Sequence, residues 1–195
     1  MKAKVFLTMM LSAAISFTVI AQESENRFGI ELNGEAAFVS SDLNDASLNG
    51  GLGFEAILQY RFMPFTSVYG GWGYSHFNAE TSFAGQDTDF EQTGYILGLQ
   101  FSHSIGASPI SWFVRGGLLY SHIETEDNTG SIISDTGHGV GYQVAGGIEV
   151  LMGNNWSLAP GIKYNSLSGE TGLEGVNYAL DLRHVSARLG VIKRF

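Results

Sequence analysis

A period of two governs this chain. From Phe28 the stretch FGIELNGEAAF sets Phe28, Ile30, Leu32, Gly34, Ala36 and Phe38 on one face, opposite Gly29, Glu31, Asn33, Glu35 and Ala37. The stretch LGFEAILQYRF repeats the rule, with Leu52, Phe54, Ala56, Leu58, Tyr60 and Phe62 opposite Gly53, Glu55, Ile57, Gln59 and Arg61. Successive side chains of a strand point to opposite faces, so each run reads as a strand with one apolar and one polar face. Six further runs begin near Val68, Gly94, Ile110, Gly139, Trp156 and Arg183, which makes eight. In the last, Val185, Ala187, Leu189, Val191 and Phe195 share one parity, and His184, Ser186, Arg188 and Arg194 the other.

The connections alternate in length. MPFTS, IGASP and GNN are tight, whereas 40–49, 78–91, 123–137 and 166–181 are long and polar. Short periplasmic turns and long external loops are the asymmetry of outer-membrane barrels. Lipid offers the backbone no hydrogen-bond partner, so strands cross it only as a closed ring. Phe28, Phe38, Tyr60, Phe62, Trp112, Tyr120, Trp156 and Phe195 stand near strand ends, where two interfacial aromatic girdles are expected.

The amino terminus agrees. Lys2 and Lys4 precede an apolar run from Val5 to Ile20, and Val19 and Ala21 form a small-residue cleavage site. Residues 1–21 are expected to be a cleaved signal peptide and 22–195 one barrel domain. A retained anchor is the weaker reading, because Thr8, Ser12, Ser16 and Thr18 interrupt the run. A soluble lipocalin-like barrel or a sandwich would also alternate, with its apolar face inside. The leader and the aromatic strand ends favour the membrane form. The expectation is therefore an all-β, eight-stranded antiparallel transmembrane β-barrel, monomeric, in the outer membrane of a Gram-negative bacterium. The 26 Gly, 12% aromatics and 3 Pro suit it, and the absence of Cys removes disulfides and thiolate metal sites.

Two stretches carry a resemblance. GYQVAGGIEVLMGNNWSLAPGIKYNSL resembles the penultimate hairpin, and GVIKRF the closing strand, of the small outer-membrane barrels related to the OmpA transmembrane domain and OmpX. The resemblance implies that Val191 and Phe195 form the signal read by the barrel-assembly machinery. Lys193 departs from it, standing where an apolar or aromatic residue is usual, and can snorkel to the periplasmic interface.

With the apolar parity toward lipid, the other parity lines the lumen. Its charged members include Glu31, Glu35, Glu55, Arg61, Arg115, Glu149, Lys163 and Arg188, four acids and four bases. Eight strands enclose room only for side chains, and an unpaired buried charge costs several kcal/mol, so a salt-bridge network is expected. Its expected centre is Glu35, Glu55, Arg115, Lys163 and Arg188. Such a network can plug the lumen or, by exchanging partners, gate a narrow path for ions or small solutes; plugging is the favoured reading.

Catalysis is not expected. A lipid A deacylase of this architecture would show a His-x-Ser-Asn element, which neither SHFN at His76 nor SHSIG at His103 supplies. His76 and His103 read as interfacial residues at strand ends, and His122, His138 and His184 as residues near loop bases. GGLGFEA lies within alternating strands with no following helix, so it is not a dinucleotide loop. No cofactor is implied, and spacing along the chain shows no metal set.

The loops hold Asp42, Asp45, Glu80, Asp87, Asp89, Glu91, Glu124, Glu126, Asp127, Asp135, Glu170, Glu174 and Asp181, with no Lys or Arg. Removing Lys2 and Lys4 with the leader takes the formal charge from −9 to −11. Such a surface repels nucleic acid. The expected role is structural and surface-interacting, adhesion-like, beside outer-membrane lipid and lipopolysaccharide, with divalent cations or a basic protein as loop partners. A gated channel is the alternative, and a lipid A-modifying enzyme a weak third.

Overall fold

The computed structural model describes residues 26–40, 48, 50–82, 85–127, 129–173 and 176–195. The expected signal peptide, together with Asp42, Asp45 and Glu174 and the side chains of Glu80 and Asp87, lies outside the described residues. The strands are β1 (Phe28–Val39), β2 (Gly51–Met63), β3 (Thr66–Ser82), β4 (Gly85–Ser104), β5 (Ile110–Glu126), the short β6 (Ile132–Asp135), β7 (Gly139–Gly153), β8 (Trp156–Leu173) and β9 (Val176–Arg194). All pairings are antiparallel. β1 pairs with both β2 and β9, and β4 with β5, so eight strands close a ring and β6 hangs on the outer end of β5.

Side-chain direction decides which solvent the barrel was built for. Leu32, Leu52, Leu97 and Ile162 point outward at 60–72% exposure, while Glu31 and Gln143 point inward at 0%. A soluble barrel would invert that pattern, so the outer surface is a lipid surface. Val191 and Phe195 are on it.

The tight turns fall where the sequence places them. Asn154 and Asn155, between β7 and β8, both adopt left-handed backbone, with φ of 50° and 63°. Asn is among the few residues that tolerate this conformation, which matches the right-handed twist of a two-residue hairpin. Lys193 reaches back to the same turn, donating to the Asn154 carbonyl at 2.7 Å with its ammonium 5.1 Å from the Trp156 ring.

Two expectations are corrected. The segments 78–91 and 166–181 are mostly not loops: β3 and β4 pair from Thr66–Phe101 out to Ser82–Gly85, and β8 and β9 out to Leu173–Val176. Spanning lipid takes only about 9–11 residues per strand. These hairpins, with strands of 17–20 residues, therefore stand well above the membrane. They persist because alternation continues: Phe77, Ala79, Phe90, Leu167, Leu180 and Leu182 turn inward and meet Ala37 and Ile123 in one apolar cluster.

The lumen, second, is held by more than the expected charge network. Besides the outer cluster, Ile57, Tyr69, Ile96 and Leu119 pack on one another midway, and Phe113, Ala159 and Ile192 nearer the periplasm. Glycine makes the room: a Cβ on Gly98 or Gly117 would come within 2.7 or 2.6 Å of the Tyr69 hydroxyl.

Candidate functional site: the lumen network and the outer rim

Two charge clusters occupy the middle of the lumen. In the one nearer the periplasm, Glu31 of β1 is the hub. Arg115 of β5 donates through Nη2 to both its carboxylate oxygens at 3.0 and 2.9 Å, and Arg188 of β9 and Gln59 of β2 also donate to it. Arg188 shares its Nη2 with Asn33. The Arg115 guanidinium lies between the Tyr69 and Phe113 rings, 5.2 and 5.0 Å from their centroids, and Gln143 donates to the Tyr69 hydroxyl at 3.1 Å. In the outer cluster, Lys163 of β8 bridges Glu55 at 2.7 Å and Glu35 at 2.5 Å.

The deep lumen thus brings together six of the eight expected residues, three acids against three bases. Glu149 and Arg61 stand apart at the periplasmic mouth, where Glu149 pairs with Arg194 and all three line a polar recess of about 380 Å³. The expected centre needs amending: Glu31 belongs in it, and Asn33, Gln59 and Tyr69 complete it. Parity alone could have added Arg194 and Asn33, since both lie on polar faces. That Glu31 is the hub could not be read, because its partners are 84 and 157 residues away.

His184 pairs with Val39, the last residue of β1, and so stands near the base of the 40–49 connection, but its side chain turns into the lumen and is fully buried, its ring 5.1 Å from Phe77 at the floor of the outer apolar cluster. Between Glu55, Ser75, Gln92, Ser121, Lys163 and Asn165 there remains a cavity of about 10 Å³, no larger than one water needs.

The second concentration of chemistry lies on the outside, above the membrane. His76, Glu91, Glu124 and Asp135 stand in direct register across β3, β4, β5 and β6, and Asp89 faces Glu126 beside them. They continue the outward parity of Tyr74, Tyr95 and Tyr120. The Nδ1 of His76 is 3.2 Å from Glu91, and Asn78 donates to Asp89 at 2.6 Å. The Nδ1 of His122 is 3.0 Å from Asp135 and 3.6 Å from Glu124, and the His138 ring stacks on that of His122 at 4.5 Å.

Partial desolvation, with Glu91, Glu124 and Asp89 nearby, raises the Glu126 carboxyl above its usual range. Desolvation also acts to raise Asp135, but hydrogen bonds from the Gly137 amide and His122 outweigh it and hold that carboxyl low. Spacing along the chain shows no metal set, yet the fold brings the ligand atoms of His122, Glu124 and Asp135 within 4.8 Å of one another. Asp135 arrives from another strand, which spacing along one strand does not reveal.

Comparison with known proteins agrees with the architecture. The family model described as outer membrane protein beta-barrel domain matches residues 7–191. Among solved structures, Neisserial surface protein A is similar with a TM-score of 0.65 at 19% identity, over 86% of this chain and 97% of its own. Outer membrane protein W of E. coli gives 0.59 at 14%, over 89% and 100%. OprG of Pseudomonas aeruginosa gives 0.55 at 13%, over 85% and 95%. No curated protein matches the sequence.

Proposed function

Because this chain belongs to the outer membrane protein β-barrel domain family and sits in the lipopolysaccharide-bearing outer membrane of a Gram-negative cell, we propose that it is a plugged structural barrel acting through its acidic outer rim. The observation that carries this reading is the parity of the rim. His76, Glu91 and Glu124 continue the lipid-facing rows of β3–β5, with Asp135 of β6 in register beside Glu124, so they look sideways from the barrel wall just above the membrane. Their neighbours at that height are the anionic headgroups of the outer leaflet. Carboxylates and phosphates repel each other unless cations lie between them, and divalent cations are the shared partner both recognise.

The rim therefore anchors the barrel to lipopolysaccharide through divalent cations; a basic protein could use the same acids from above. No catalytic step belongs to this reading. Assembly through the Val191 and Phe195 strand is part of the proposal, since both side chains lie open on the lipid face.

Co-sedimentation of the folded chain with lipopolysaccharide tests the rim. Binding should need Mg²⁺, vanish with chelator and weaken in a Glu91→Gln/Glu124→Gln double variant. Binding indifferent to chelator and to the variant would remove the reading.

The second reading, a gated channel, draws on one observation. Among the described residues, Nε and Nη1 of both Arg115 and Arg188 have no hydrogen-bond partner, so the network holds spare donors that partner exchange could use. Against it stand the apolar clusters on both sides of the charges, which would have to open as well.

A further inference from the structure

We propose that His122, Glu124 and Asp135 bind one divalent transition-metal ion of the Zn²⁺ class on the outer face of the β5–β6 hairpin. The proposal deepens the rim reading and rests on it for the accessibility of that face, but asks for one defined site where general cation attraction would serve lipopolysaccharide.

Zn²⁺ sits about 2.0–2.2 Å from nitrogen and oxygen ligands, so two corners of its tetrahedron are about 3.4 Å apart. The Nδ1 of His122 is 3.0 Å from Asp135 Oδ1 and 3.6 Å from Glu124 Oε1, which brackets that edge. All three ligand atoms lie within 4.8 Å of one another, so small side-chain rotations close the set. His138, stacked on His122 at 4.5 Å with its plane only 15° away, is placed to supply a fourth nitrogen or to shelter the site.

The turn carrying Asp135 is pinned to β5: Thr136 donates its amide to the Ile123 carbonyl at 3.0 Å, and its hydroxyl accepts from the Ile123 amide at 2.9 Å. The Gly137 amide donates to Asp135 Oδ1 at 2.8 Å, in a left-handed conformation with φ of 64°. Asp135 is therefore fixed against the edge of the His122 ring by backbone groups, the outer support that metal ligands require.

Glu124 stands directly opposite Asp135 on one side and Glu91 on the other. Like charges directly opposite each other destabilise a sheet, and three carboxylates in one row, with histidines beside them and no lysine or arginine among them, are a standing cost that a bound cation removes. The nitrogen ligand sets the class: imidazole with carboxylates suits Zn²⁺ and its neighbours, while Ca²⁺ and Mg²⁺ take oxygen.

The test is calorimetric titration of the folded, chelator-stripped full chain with Zn²⁺ in excess Mg²⁺. The expected result is one Zn²⁺ per chain, not displaced by Mg²⁺, with affinity falling at least about tenfold in His122→Ala and in Asp135→Asn and unchanged in Glu170→Gln. Unboiled gel migration checks that each variant is folded. Displacement of Zn²⁺ by Mg²⁺, or equal binding by His122→Ala, would overturn the site and leave only diffuse attraction to acids. Lipopolysaccharide co-sedimentation in Mg²⁺ is independent of this result, so either reading can fail alone.

Discussion

Glu91 and Glu124 face each other directly across β4 and β5, on the outward side of the barrel above the membrane. A sheet gains nothing from such a pair in water, and neighbouring Asp89 and Glu126 repeat it. Stability and function are therefore opposed at this place, and the opposition is measurable.

Glu124→Gln should stabilise the folded chain in chelator, by about 0.2–1 kcal/mol, because it removes a like-charge pair on each side. Urea unfolding in detergent reads this directly. With divalent cation present the gain should shrink or reverse. A loss of stability in chelator would mean that the row is held by something other than a cation.

The rim should also respond to pH. The Glu126 carboxyl is raised above its ordinary value by desolvation and by the acids around it. In the window above that value the folded chain binds more proton than the unfolded one, so this group's contribution is present at low pH and lost as pH rises through the raised value. Asp135, held low, works in the opposite sense, its contribution being lost only as pH falls below its ordinary value. Hydrogen exchange of the outer β4–β5 amides, corrected for intrinsic rates, should show protection rising on mild acidification, and Glu126→Gln should flatten the rise. Unchanged slope in that variant would contradict the assignment.

Glu31→Ala leaves Arg115 and Arg188 without their shared anion in the middle of the lumen, and should cost about 3–5 kcal/mol. Glu149→Ala, at the solvent-reached periplasmic mouth, should cost clearly less. The midpoint of urea unfolding separates the two. Equal effects would mean that the deep network is not the electrostatic core described here.

The Asn154–Asn155 turn gives a backbone test. Asn155→Gly should be tolerated, whereas Asn155→Val, forced to a φ of 63°, should lose about 1–2 kcal/mol. Refolding yield and unfolding midpoint both report it.

The barrel itself was legible because lipid forces one rule on every strand: alternate side chains must face hydrocarbon, so parity sorts Leu52 and Leu97 onto the apolar face, and the leader and aromatic strand ends were needed to turn that face outward. The turns were legible for the same local reason, as with Asn154 and Asn155. What could not be read was which residues meet across the lumen. Arg188 reaches Glu31 only once β9 has paired with β1 in a particular register, and no local pattern encodes that distance. The outer hairpins were misread as loops because their polar faces look like solvent-exposed loop; inward Phe77 and Phe90 were the signal that the strands continue. His184 shows the same point, since its parity placed it inside while its position near a long connection suggested otherwise. The rim metal set was hidden because Asp135 joins His122 and Glu124 from another strand.

The lumen is filled from the Glu149–Arg194 pair to the outer apolar cluster, which leaves the rim as the working surface. Planar-bilayer recording of the folded chain at neutral pH, with insertion confirmed independently, tests it most directly. A silent membrane is expected. Reproducible discrete conductance steps would contradict it and turn the Glu31 and Lys163 clusters into a gate.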